Sequence, residues 1–226
     1  IFSSDLTDGV FDSSWSLFRD RLTWLRETLF AIKEIRNVNW LVRPHPNDEK
    51  NNIITRTISA YEQICSESDH VKLFPNDVAV ASIPKFIDVA VTINGSPGVE
   101  YSCFGIPAVT TCGSNCTGYG YTIEPKTKEE YFFQLKNIKK LEKLNNNQIE
   151  LAKIFLFITY KLLAIPVNLI PPIVSSAIDE KKIWSLMTKL LKEYNFEENL
   201  LIKMMKIQET NNDMHTINYG VLEKRN

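Results

Sequence analysis

The sequence is poor in the features that announce a metal or redox centre. It has four cysteines, at 65, 103, 112 and 116, and three histidines, His45, His70 and His215. These form no Cys-x-x-Cys pair and no ligand-like run with the histidines. A reduced, cytoplasmic compartment follows as the default. There is no excess of either charge: 26 Lys and Arg face 27 Asp and Glu, for a net charge of -1. That balance gives no electrostatic reason to expect nucleic acid or an anionic membrane as partner, and any bound phosphate must be held locally. There is no Walker loop, no Gly-x-Gly-x-x-Gly fingerprint and no Asp-x-Asp pair, and no internal repeat.

Long apolar runs are also lacking. The longest, Ile154 to Ile173, is broken by Lys161, Asn168 and the Pro171-Pro172 pair, whereas a bilayer span needs about 20 uninterrupted apolar residues. It reads as a buried helix followed by a turn. The first residues, Ile1-Phe2-Ser3-Ser4-Asp5, show neither a basic leader nor a cleavage site and read as a strand cut part-way. The expectation is therefore a C-terminal portion of a longer chain, with an N-terminal domain missing.

What is present is the composition of a soluble globular protein, 44% hydrophobic and 23% charged. From Ile1 to about Asn145 apolar runs of strand length alternate with segments of helical period, the signature of βα units and a parallel sheet. The fold class expected is α/β, a Rossmann-like parallel sheet with flanking helices. Phe18, Leu22, Leu25, Leu29 and Ile32 make one helical stripe, with Asp12, Ser13 and Ser14 as cap candidates. Ile54, Ile58, Tyr61 and Cys65 make another. Strands are expected at Val38 to Val42, Val71 to Phe74, Asp88 to Ile93 and Pro107 to Thr111, with a helix-like bridge from Val78 to Phe86. A helix opened by Pro97 should close at Gly105, and Thr127 with Glu130 fits a capping box for a helix running to about Lys143. Beyond Asn145 only helical patterns follow, near 148 to 164, 178 to 194 and 197 to 209, so residues 146 to 226 read as a helical extension packing on the first domain, with the Asn145-Asn146-Asn147 run as linker.

In an open parallel sheet, ligands bind outside the carboxyl ends of the strands. Arg43-Pro44-His45-Pro46 follows a strand directly, and its two prolines hold the backbone extended and present the imidazole at the rim. Asn94-Gly95-Ser96-Pro97-Gly98-Val99-Glu100 pairs a sharp glycine turn and a hydroxyl with a helix start, a local cradle for phosphate, with Glu100 placed to accept from sugar hydroxyls. Phe74 ends the next strand, where its ring could wall a nucleobase. The first loop, Ser3 to Gly9, and the Gly118-Tyr119-Gly120-Tyr121-Thr122 loop fit either a site or a plain turn. Cys112 and Cys116 have no basic neighbour in sequence and read as idle thiols, and His215 reads as a helix-end contact.

The ordered set Trp40-Leu41-Val42-Arg43-Pro44-His45-Pro46, Asp88 to Glu100 and Gly105-Ile106-Pro107-Ala108-Val109 resembles the C-terminal half of a GT-B glycosyltransferase of the bacterial capsular and surface polysaccharide type, including enzymes that use CMP-activated Kdo or sialic acid. The likeness covers roughly residues 1 to 140. It implies that His45 and Ser96 contact the donor's nucleotide phosphate and act in catalysis, and that Glu100 holds the ribose. Arg43, Phe74, Asn94 and Gly95 complete the expected nucleotide-binding set. It further implies no metal and no cofactor, a nucleotide-sugar donor that is CMP-linked in the nearest likeness, a polysaccharide or glycolipid acceptor, and peripheral association with membrane-bound capsule machinery. Relatives often carry a second Ser or Thr beside the residue matching Ser96, where this chain has Gly95 and Pro97, so the donor stays open. A teichoic-acid-type glycerophosphotransferase, a sugar-nucleotide 2-epimerase and a non-catalytic nucleotide-binding module are the alternatives.

Overall fold

A computed structural model describes residues 1–6, 16–45, 61, 63–75, 78–111, 113 and 116–162, together with 185, 188, 189 and 192. By contacts the chain divides into Ile1–Leu156 and Phe157–Asn226. The sheet and the candidate site lie in the first unit. The expected helix at 197 to 209, all but four positions of the one at 178 to 194, Ile54 and Ile58 of the second stripe, and His215 lie outside the described residues.

The first unit is α/β, with short parallel sheets. Strand β1 (Trp40–Val42) pairs in parallel with β2 (Val71–Leu73), and β3 (Ala90–Val91), β4 (Ala108–Val109) and β5 (Thr122–Ile123) pair in parallel in that order. Phe2 bridges Arg43 on one side and Thr92 on the other, both in parallel. Backbone bonds from Phe2 N to Val91 O (2.8 Å) and from Arg43 N to Ile1 O (2.8 Å) carry the pairing across this seam. Because every pairing is parallel, the carboxyl ends share one edge, at Ser3, Arg43, Phe74, Thr92 and Thr110. Strand β5 is absent from the expectation because two residues after a glycine-rich loop give no period to read.

Helix α1 (Arg21–Glu34) is capped by Asp20, whose carboxylate accepts from Thr23 N at 2.6 Å. The cap candidates Asp12, Ser13 and Ser14 lie outside the described residues. The expected stripe is corrected at Leu22, which is 45% exposed, while Trp24 and Thr28 are fully buried. The cause is polar: Trp24 Nε1 donates to Tyr131 Oη at 3.0 Å and Thr28 Oγ1 lies 2.9 Å from the same oxygen, which turns their side of the helix inward. At 100° per residue the buried arc then centres between Thr28 and Ile32 and leaves Leu22 at its margin.

After a 3₁₀ segment (Val80–Lys85) and β3, the expected helix from Pro97 to Phe104 divides in two: α2 (Pro97–Glu100) and a 3₁₀ turn (Ser102–Phe104). Ser102 Oγ back-bonds to Gly98 O at 2.8 Å, the kind of contact that loosens a helix, and Gly105 takes a left-handed φ of 79° to end it. Helix α3 (Lys128–Lys136) is capped by Thr127, which accepts from Glu130 N at 3.2 Å. Glu130 reaches back to Lys126 N, one residue before the cap, at 2.6 Å. The helix ends at Lys136, short of the expected Lys143, and gives way to a 3₁₀ turn at Ile138–Lys140.

Helix α4 (Asn146–Phe157) continues into a π-helical stretch, Ile158–Leu162. Asn145, expected in a linker, caps it: Gln148 N donates to Asn145 Oδ1 and Asn145 N to Gln148 Oε1, both at 3.0 Å. Ala152 of α4 packs with Val99, Cys116 and Tyr121 of the sheet unit, so α4 is part of that unit's core although the sequence reading begins the extension at 146. The expectation of a buried helix from Ile154 is corrected in its described part, where Ile154 and Phe157 are more than half exposed. No helix of the described residues is long and apolar enough to cross a membrane.

Two apolar layers sandwich the sheet. One gathers α1 and α3 around Trp24, Leu25, Ile32, Tyr131 and Leu135, and the other gathers Phe2, Phe74, Ile83, Tyr101 and Ile106.

Candidate functional site

The strand ends open into a cavity of about 820 Å³. Six of the seven residues singled out in the sequence line it: Arg43, His45, Asn94, Gly95, Ser96 and Glu100. They come from two strand ends separated by about 50 residues, and the Phe2 segment between them brings them together.

Its framework is a set of short polar links. His45 N donates to Ser3 Oγ at 3.1 Å, which holds the Pro44-His45 segment against the Phe2 segment. Ser4 Oγ donates to Asn94 Oδ1 at 3.3 Å. Gly95 N donates to Thr92 Oγ1 at 3.2 Å, and a β-carbon at Gly95 would meet both Thr92 Oγ1 and Pro97 Cδ at 3.0 Å. The turn is therefore tight enough to favour glycine. Ser96 is exposed and its side chain makes no capping bond, so the hydroxyl is not committed to the helix that follows. The helix start expected to complete the cradle adds little charge to it: α2 has four residues, too few peptide dipoles to sum to a large terminal charge. Any anion here would be held by the Ser96 hydroxyl and loop amides.

Phe74 is placed differently. Its ring is 5% exposed, packs with Phe2 and Tyr101, and lines a neighbouring cavity of about 850 Å³. Arg43 lines both cavities, and its guanidinium carbon lies 5.6 Å from the Phe74 ring centroid. Phe74 thus backs the arginine.

The cavity also holds residues outside the expected set. Ser3, Ser4 and Asp5 of the ambiguous first loop line it. Arg21, at the start of α1, reaches in and donates to Asp5 O at 2.8 Å. No sequence signal marks Arg21, because its place depends on where α1 docks. Tyr101 lies beside Glu100 in sequence and on the cavity wall. Burial pushes its phenol up to about 12, the Glu100 charge adds to the rise and the Arg43 charge opposes it. The hydroxyl is accordingly a proton-bearing donor at neutral pH.

The remaining candidates fall elsewhere. Tyr119 and Tyr121 stack at 6.2 Å with Phe155 against Tyr119 at 4.9 Å, away from this cavity. His70 is buried, with Nε2 3.1 Å from Ile32 O and Nδ1 3.2 Å from Asp69, a structural role. Cys116 is buried and Cys112 lies outside the described residues. Among the described residues no three His, Cys, Asp or Glu side chains are grouped to hold a metal ion. No family model, curated protein or solved structure matches the chain.

Proposed function

We propose that this chain is the donor-binding half of a GT-B glycosyltransferase acting in surface polysaccharide synthesis, with a nucleotide sugar in the cavity at the strand ends. The observation that carries the reading is the convergence of Arg43, His45, Asn94, Gly95, Ser96 and Glu100 on one cavity at that edge. If the Phe2 segment, which bridges Arg43 and Thr92 between the two sheets, is counted as strand 1 and β1 to β5 as strands 2 to 6, the order is 3-2-1-4-5-6. This is the order of doubly wound nucleotide-binding sheets, whose ligands sit where the order reverses, between strands 1 and 4. Ser3 and Ser4 end strand 1, and Asn94 to Ser96 follow strand 4.

In transfer, the bond between the sugar's anomeric carbon and a phosphate oxygen breaks while an acceptor hydroxyl attacks that carbon and passes its proton to a base. Negative charge grows on the departing phosphate. His45 and Ser96 are placed to donate to it, and donors fixed in advance stabilise such charge without reorganising at the moment of reaction. Glu100, half-buried one turn in from Ser96, is the acceptor for the ribose hydroxyls. The reading carries with it a cytoplasmic site at the inner face of the membrane and a polysaccharide or glycolipid acceptor.

Calorimetric titration of the purified chain with cytidine, uridine, guanosine and adenosine nucleotides tests it. At least one nucleotide should bind, and His45→Ala should weaken it about tenfold or more, the worth of a hydrogen bond to a charged group, with an unchanged melting curve. Binding by none, or affinity untouched by His45→Ala, would overturn the reading.

A further inference from the structure

Helix α4 is apolar on both sides. Its inner side packs into the sheet unit through Ala152, yet on its outer side Leu151 is 45% and Ile154 52% exposed. Side chains three and four residues apart share a helix face, so Leu151 neighbours both Ile154 and half-buried Phe155. The Phe155 ring lies 4.9 Å from that of Tyr119, which is itself 52% exposed. Single exposed apolar side chains are ordinary, but a joined group of them marks a binding surface.

The group is held in shape. Gly118 and Gly120 take left-handed φ values of 88° and 84°, which only glycine adopts without strain. The turn they make sets Tyr119 nearly parallel to Tyr121, at 11° and 6.2 Å, and Tyr121 is 1% exposed. Gly118 N donates to Glu124 Oε1 at 2.7 Å, and Gln148 Nε2 of α4 donates to Gly120 O at 3.0 Å. Loop and helix thus present one surface.

The chemistry of that surface suits lipid better than protein. From Leu151 to Ile178 the sequence holds two charged residues, Lys153 and Lys161, and the next acid is Asp179. The even charge of the whole chain conceals this local excess of cations. Glu150, the one acid of α4, is offset by Lys153 Nζ at 2.8 Å. Lysine is depleted in protein interfaces. At a bilayer its stem lies along apolar surface while its ammonium meets anionic headgroups. Tyrosine likewise favours the boundary between water and lipid.

We infer that α4 and the Tyr119 loop form a docking face for an anionic bilayer, with Leu151, Ile154 and Tyr119 at the headgroup boundary. The helix lies on the bilayer rather than across it, as amphipathic interfacial helices do. The inference goes beyond the nucleotide reading and does not depend on it. That reading brings the chain to a membrane through its acceptor, whereas this face supplies a contact of the protein's own.

The test is co-sedimentation of the chain, without nucleotide, with vesicles of phosphatidylcholine alone and with one third phosphatidylglycerol. The parent should bind the anionic vesicles about fivefold or more tighter than the neutral ones, the worth of one lysine near such a surface. The double variant Leu151→Glu, Ile154→Glu should not sediment. Should those two charges unfold α4, Tyr119→Ser decides: it should bind severalfold more weakly with the parental melting curve. Ile154→Trp should bind like the parent and be quenched by brominated lipid beyond the native tryptophans. No binding to anionic vesicles, equal binding to both lipids, binding that survives the substitutions, or no added quenching would each overturn the face. So would a parent chain that is dimeric by light scattering and monomeric as the double variant, since a second copy would then cover the patch. Nucleotide titrations in vesicle-free buffer read the strand-end cavity separately, so either reading can fail while the other stands.

Discussion

Ser4 and Asn94, 90 positions apart, are joined by a hydrogen bond of 3.3 Å from the Ser4 hydroxyl to the Asn94 side-chain oxygen. They stand at the ends of adjacent parallel strands, so the bond ties together the two loops that form the cavity between them. A loop held in its bound shape loses less freedom when a ligand arrives.

Ser4→Ala should therefore act on binding more than on folding. Loss of a neutral, partly buried hydrogen bond costs about 0.5 to 1.5 kcal/mol, seen as a lower urea midpoint with an unchanged slope. Nucleotide affinity should fall several-fold as the Asn94 loop loses this tie. A variant with parental affinity would show that the Asn94 loop is fixed by its other contacts.

Gly98 makes a second, purely steric prediction. A β-carbon there would lie 2.9 Å from Cys116 Sγ and 3.4 Å from Thr110 Cγ2, and Cys116 is 1% exposed. Gly98→Ala should destabilise by about 1 to 3 kcal/mol, the usual cost of overpacking a core. Removing the obstructing sulfur by Cys116→Ala should recover much of that loss in the double variant. Strict additivity, measured by denaturant titration of all four chains, would show that the sulfur is not the obstacle.

How much of this was legible in the sequence depended on how local each signal was. Strands β1 to β4 were legible because an apolar run next to a turn residue is a local signal, and Arg43, His45 and Asn94 to Ser96 were legible because they follow those runs immediately. Leu22 was misplaced because the buried arc of α1 is set by the Tyr131 hydroxyl, 107 residues from Trp24. The division of the helix after Pro97 depends on Ser102 turning its hydroxyl to Gly98 O, a choice that periodicity does not carry. Arg21 and Tyr101 join the cavity only once α1 and α2 are docked. Phe74 has the right position at a strand end, but the way its ring faces is decided by Arg43 and the core beneath.

Asp20 gives a stability that depends on pH. The Thr23 amide holds its carboxyl below the ordinary range, so the folded chain favours the charged form. The sign follows: the contribution is complete above the unfolded carboxyl value of about 4 and is lost as pH falls through the lower folded value. Asp20→Ala should cost about 0.5 to 2 kcal/mol at neutral pH, as for other lost helix caps, and the difference from the parent should vanish in strong acid. Asp20→Asn should keep much of the cap and show a flatter acid limb. A difference between Asp20→Ala and the parent that persists unchanged in strong acid would mean that the carboxylate charge contributes nothing to the cap.

Ser96 and Glu100 should divide one ligand between them. If the Ser96 hydroxyl donates to phosphate, Ser96→Ala weakens mono- and diphosphates and scarcely changes a bare nucleoside. Glu100→Gln should weaken even the nucleoside by about 1 to 2 kcal/mol, because the ribose loses a charged acceptor. The two losses should add on a nucleoside monophosphate, since the partner groups are separate on the ligand. Isothermal titration of the single and double variants with nucleoside and nucleoside monophosphate resolves the four values. A nucleoside affinity unchanged by Glu100→Gln would remove the ribose from α2 and leave Asp5, the other carboxylate on the cavity wall, as the residue to examine at the end of the first strand.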